Sequence, residues 1–126
     1  MMLRRILLLS VTGAIGTLAR YWLSGAVQRF SGAAFPWGTL AVNVIGCFLF
    51  GVVWSLAEER LLISGETRFI VLVGFMGAFT TFSTYMFETS QMLVASEWLR
   101  GSANFLIENA AGFAMLTLGI ALGRSL

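Results

Sequence analysis

The sequence contains no histidine and no lysine, one cysteine, one proline and only 11% charged residues. Without histidine there is no imidazole triad, no His-ligated metal and no imidazole proton relay. The single cysteine, Cys47, lies in an apolar run, so neither an intrachain disulfide nor a cysteine metal cluster can form, and it reads as a small buried hydrophobe. With neither histidine nor a placed lysine, no nucleophile–base pair can be assembled, and enzymatic activity is not expected. The eight basic residues are all arginine; they leave a net charge of +2 and form no basic stripe that would suit a nucleic acid.

What is present is overwhelmingly apolar. Of 126 residues, 58% are hydrophobic, and the mean hydropathy is +0.87. A soluble domain carries about 25% charged and about 45–50% apolar residues, so that class is nearly excluded. A bilayer-spanning helix takes ~20 residues at ~1.5 Å rise each. The length therefore predicts one domain over residues 1–126, an all-α membrane protein whose four transmembrane helices cover about 4–29, 37–57, 68–95 and 101–124. No extramembranous domain is expected to carry chemistry. The first run follows Arg4 and Arg5 as in a signal peptide, but no A-x-A-type site follows and the apolar pattern continues to Trp22, so a retained helix is expected. Pro36 suits the first turn of the second helix, and Trp37 beside it suits the interfacial aromatic belt.

With four spans, Arg4, Arg5, Arg60, Arg68 and Arg124 fall on one side of the membrane and Arg20, Arg29 and Arg100 on the other. Five against three is a weak bias. A chain that inserts both ways can pair as an antiparallel dimer, the two-chain counterpart of an inverted repeat.

The costly residues inside the spans are Asn43, the Thr80-Thr81-Phe82-Ser83-Thr84 cluster, Glu88, Asn104, Glu108, Asn109 and Thr117. Each is a functional-site candidate, against the plainer reading of interhelical glue worth about 0.6 kcal/mol. On a regular helix, Thr80, Thr81, Thr84 and Glu88 share one arc, and Phe82 and Tyr85 border it. Gly74, Gly77 and the hydroxyl run weaken the helix near mid-span, and a broken span frees backbone groups to line a cavity or hold an ion. A simple kink with back-bonded hydroxyls is the plainer alternative. No lysine or arginine lies deep in spans two to four, and no ring of carboxylates is expected there. Hydroxyls, an amide and the positive edges of aromatic rings can replace a small anion's hydration without trapping it. Asn104 and Glu108, four apart, are expected to face a partner or a vestibule; Glu88 reads either as a vestibule residue or as the partner of an arginine at the helix end.

Gly38-Thr39-Leu40-Ala41-Val42-Asn43-Val44-Ile45-Gly46 on the second span resembles the Fluc (CrcB) fluoride channels of bacteria, as does Gly74-Phe75-Met76-Gly77-Ala78-Phe79-Thr80-Thr81-Phe82-Ser83-Thr84 on the third. The similarity extends over nearly the whole chain. It implies a passive fluoride-selective channel that exports toxic fluoride, a multi-pass protein of the bacterial inner membrane, and a dual-topology antiparallel homodimer. It also implies a structural Na+ at the dimer centre, bound by backbone carbonyls at a break in the third helix. By position, Asn43 and Phe82 match pore residues, Ser83 and Thr84 match hydroxyls near the pore, and Arg20 resembles a vestibule arginine. Glu88 follows the pore motif, and Gly77 and Thr80 match the Na+ carbonyl donors. Tyr85 stands where the family has a second pore phenylalanine, which predicts reduced or altered conduction in an unchanged fold. A small proton-coupled multidrug exporter of similar length would need a carboxylate on the first span, which has none. A non-transporting membrane scaffold would not need the polar strip.

Overall fold

The computed structural model describes residues 1–126. Helix α1 runs Met2–Ser31 and α2 runs Trp37–Glu58. The third apolar segment, Gly65–Val94, is composite: α3 (Gly65–Phe69), a π-helical stretch Ile70–Met76, α4 (Gly77–Phe79) and α5 (Phe82–Val94). Helix α6 runs Trp98–Ser125. Four segments are thus long and apolar enough to cross a membrane. The helices extend the expected spans by a few residues at several ends, where chain ends fray and interfacial residues still satisfy the backbone ladder.

The hydroxyls of α1 bond back along their own helix, Ser10 to the Ile6 carbonyl at 2.8 Å and Thr12 to the Leu8 carbonyl at 2.7 Å. Such bonding removes the cost of a hydroxyl in hydrocarbon. Gln28 organises the turn into α2: its Nε2 donates to the Phe35 carbonyl at 2.9 Å, and its Oε1 accepts the Gly38 N–H at 3.0 Å. That bond satisfies a first-turn donor of α2, whose N-cap, Pro36, makes no side-chain cap bond. Ser64 caps α3 by accepting the Thr67 N–H at 3.2 Å.

Packing is layered. Val42, Leu72, Met76 and Phe79 form the small buried core, while large apolar residues such as Trp22, Phe87 and Phe113 point outward, as lipid-facing residues must. Helices α2 and α6 run in close contact along Gly51, Gly119 and Gly123: a β-carbon on Gly119 would meet the Phe48 carbonyl, and one on Gly51 the Leu116 carbonyl. The Gly119-x-x-x-Gly123 spacing therefore serves backbone approach between these two helices.

At one end, Arg124 donates to both carboxylate oxygens of Glu59 at 2.7 Å, and the Ser55 hydroxyl donates to the same carboxylate at 2.8 Å. Those hydrogen bonds, Arg124 first, hold the Glu59 carboxyl down from its ordinary 4.5 to about 2. A carboxyl that titrates lower in the folded state contributes its stabilisation fully above pH 4.5 and loses it as pH falls through about 2. Acid unfolding in detergent should therefore show a stability loss across that window that is missing in Glu59→Gln. An unchanged acid profile in that variant would remove the link.

Candidate functional site

The site forms where α2, the residues between α4 and α5, and α6 meet. Helix α4 ends at Phe79 and α5 begins at Phe82; between them Thr80 (φ −85°, ψ 158°) and Thr81 (φ −148°, ψ 102°) are extended. Extended backbone gives up helical hydrogen bonds, and buried amide groups must find other partners. Asn43 supplies them. Its Oδ1 accepts the Thr81 N–H at 2.8 Å, and its Nδ2 donates to the Thr81 carbonyl at 3.2 Å. One amide side chain thereby imitates a two-bond backbone ladder. The Thr81 hydroxyl then caps α5, accepting the Thr84 N–H at 3.3 Å.

The break deprives the last carbonyls before α5 of their helical donors, those of Gly77 and Thr80 among them. In a continuous helix the Thr81 N–H would go to Gly77 and the Thr84 N–H to Thr80, but they go to Asn43 and to the Thr81 hydroxyl instead. Gly77 lies at the protomer surface, and Thr80 is half-buried.

A cavity of about 350 Å³ opens beside this segment, lined by Asn43, Thr80, Thr81, Phe82, Tyr85, Glu108 and Asn109 among others. Phe82 leaves 72% of its surface exposed, and its ring meets that of Tyr85 at 5.7 Å and 71°, an edge-on pairing. The Tyr85 ring is buried. Its hydroxyl donates to the Phe105 carbonyl at 3.2 Å and accepts from Asn109 Nδ2 at 2.8 Å. No arginine lines this cavity.

The other expected site residues fall elsewhere. Arg20 and Thr84 line a separate cavity of about 290 Å³ with Thr17, Tyr21, Ser24 and Thr39, and Thr81 borders both cavities. Glu88 faces a third, of about 380 Å³, which it shares with Gln91, Glu97 and Arg100. It accepts the Thr39 hydroxyl at 2.9 Å rather than pairing with an arginine. Ser83 is exposed on the protomer surface and lines none of the three. The single polar arc expected on a regular helix is therefore divided, because extended Thr80 and Thr81 shift the helical phase between α4 and α5.

On α6, Asn104 and Glu108 turn into the protomer's own bundle and away from lipid: Asn104 Nδ2 donates to the Thr89 hydroxyl at 2.8 Å, and Glu108 Oε2 accepts from Asn43 Nδ2 at 3.2 Å. Burial of a carboxyl among apolar helices is tolerated only with hydrogen-bonding partners, and the facing amide on α2 provides one. Glu108 and half-buried Glu88, both expected as costly residues inside the spans, line different cavities. Thr39, Thr81 and Glu108 are the residues whose parts in the site the sequence reading missed. The signal for Glu108 was a charge inside an apolar run; for Thr39 and Thr81 it was only their place within the two motifs.

Four apolar segments surrounding polar cavities define a multi-pass membrane protein with a polar interior. The sequence model of the family described as CrcB-like protein, Camphor Resistance (CrcB), matches residues 7–120. The chain belongs to the CrcB family. It is 55% identical over 123 residues to a fluoride-specific ion channel FluC of Nitrosococcus oceani, covering 98% of each chain. A protein of the same name from Desulforapulum autotrophicum is 51% identical over 120 residues, with 95% of this chain and 96% of that one covered. One from Geobacter sulfurreducens is 46% identical over 121 residues, with 96% and 98% covered.

Proposed function

We propose that this chain is a passive, fluoride-selective ion channel of the bacterial inner membrane, exporting fluoride as an antiparallel dual-topology homodimer. The observation that carries the reading is the Asn43–Phe82–Tyr85 cavity, lined by amides, hydroxyls, aromatic rings and the Glu108 carboxyl without a fixed cation, in a chain whose relatives are named fluoride channels. Neutral donors compensate a small anion for lost water and still release it, which conduction requires. Asn43, Phe82 and Tyr85 form the narrow part of the pathway. Arg20, Thr84 and Glu88 belong to the polar approaches, with Ser83 at the protomer surface facing the second copy. The third span is broken at Thr80–Thr81, and the break serves the pathway.

A structural Na+ at the dimer centre fits the residues present. The Gly77 and Thr80 carbonyls are among those whose helical donors are diverted at the break, and unwound carbonyls are the usual ligands of Na+ at such breaks. Bound there, the ion supplies positive charge that holds two broken spans together. The chain's own part is to keep those carbonyls free, through the Asn43–Thr81 clasp.

Liposomes containing the purified protein, loaded with fluoride and monitored by a fluoride electrode, are expected to empty rapidly while chloride-loaded ones stay full. Silence toward every ion, or proton-coupled cation uptake instead, overturns the proposal. Tyr85→Phe is expected to raise the fluoride rate about fivefold, the equivalent of one hydrogen bond of about 1 kcal/mol no longer competing at the ring. Equal rates for the two proteins would remove Tyr85 from the pathway's rate-setting residues.

A further inference from the structure

One buried side-chain oxygen at the cavity has no hydrogen-bond partner. Both donor hydrogens of Asn43 are engaged, one by the Thr81 carbonyl and one by Glu108 Oε2. Asn109 is committed to Tyr85 and to the Phe105 carbonyl, and the Tyr85 hydroxyl to the same carbonyl. Glu108 is different. It is 7% exposed, it lines the cavity, and its Oε1 is buried without a hydrogen-bond partner.

An anion that takes a hydrogen bond from Asn43 must displace one of its two present acceptors. The Thr81 bond belongs to a two-point clasp, closed by the Thr81 N–H on Asn43 Oδ1, so the bond to Glu108 is the one that yields. What then faces the anion depends on the carboxyl. Ionised, it competes for the amide and repels the anion; carrying a proton, it offers an O–H donor beside the amide.

We infer, on the basis of the proposed channel function, that Glu108 is a further specificity-determining residue of the fluoride pathway, donating to the anion when protonated and opposing it when ionised. Fluoride flux then rises as pH falls. The titratable groups that face Glu108 are Cys47 on α2 and Tyr85 and Glu88 on α5, and no arginine lines the cavity.

The test is fluoride efflux from proteoliposomes at equal internal and external pH, with leak through protein-free liposomes subtracted to remove passage of the neutral acid. The wild-type rate at about pH 5.5 is expected to exceed that at about pH 7.5 by about tenfold or more, as one controlling proton implies. Glu108→Gln keeps an acceptor for Asn43 and an N–H donor but cannot titrate, and its two rates should agree within about twofold. Cys47→Ser should retain the wild-type ratio. A wild-type ratio near one overturns the inference without touching the channel assignment. So does an unflattened ratio in Glu108→Gln, or a ratio lost in Cys47→Ser. A wild type silent at both pH values overturns the channel reading itself.

Discussion

Asn43→Asp is expected to cut fluoride flux at neutral pH at least about a hundredfold, equivalent to about 2.7 kcal/mol at the narrow part of the pathway. The replacement is close in shape, so one of its oxygens can still accept the Thr81 N–H that Asn43 Oδ1 accepts at 2.8 Å. It loses both donor hydrogens, which in the wild type reach the Thr81 carbonyl and Glu108 Oε2. Two carboxylates then face one another across the cavity beside an unpaired carbonyl, and each disfavours a passing anion. A solution size and helix content like those of the wild type would show that the clasp still holds. Flux within tenfold of the wild type would remove Asn43 from the pathway.

Gly119→Val is expected to destabilise the protein by about 3 kcal/mol, at the upper end of overpacking costs, because its neighbours cannot move aside. The atoms a β-carbon would meet there are the Phe48 carbonyl and the Val52 amide nitrogen of α2, which are main-chain atoms of a regular helix rather than flexible side-chain ends. The same helix offers an internal comparison at Gly112, where a methyl group would meet only the Cys47 sulfur at 3.5 Å, an ordinary contact. Unfolding in mixed micelles, followed by helical circular dichroism, should therefore rank Gly119→Val far below Gly112→Ala. Equal midpoints would mean that α2 and α6 separate at little cost.

The two motifs were informative because each places special residue types in a short segment. Asn43 in an apolar helix and the threonine–serine run after Gly77 mark polar cost in an apolar segment, and Asn43, Thr80 and Thr81 lie at the cavity. Thr84 and Glu88 were visible as polar residues but not as members of separate cavities. A helical projection continues one phase through Thr80 and Thr81, and their extended backbone interrupts it. Glu108 was visible as a buried charge, yet its partner was not, since nothing in the order of residues along α6 names an amide on α2. Tyr85 was legible as an aromatic bordering the polar run; its anchoring by Asn109 and the Phe105 carbonyl was not.

By itself the sequence determined the number of membrane-crossing segments, the family and the poverty of ionisable chemistry, since hydropathy sums over ~20 neighbouring residues and needs no partner. Only the tertiary structure decided which polar groups meet. Asn43 reaches Thr81 across 38 residues of chain and Glu108 across 65. Such pairings follow from how close α2 and α6 can approach at their glycines, and from where the third span yields its backbone bonds to a side chain.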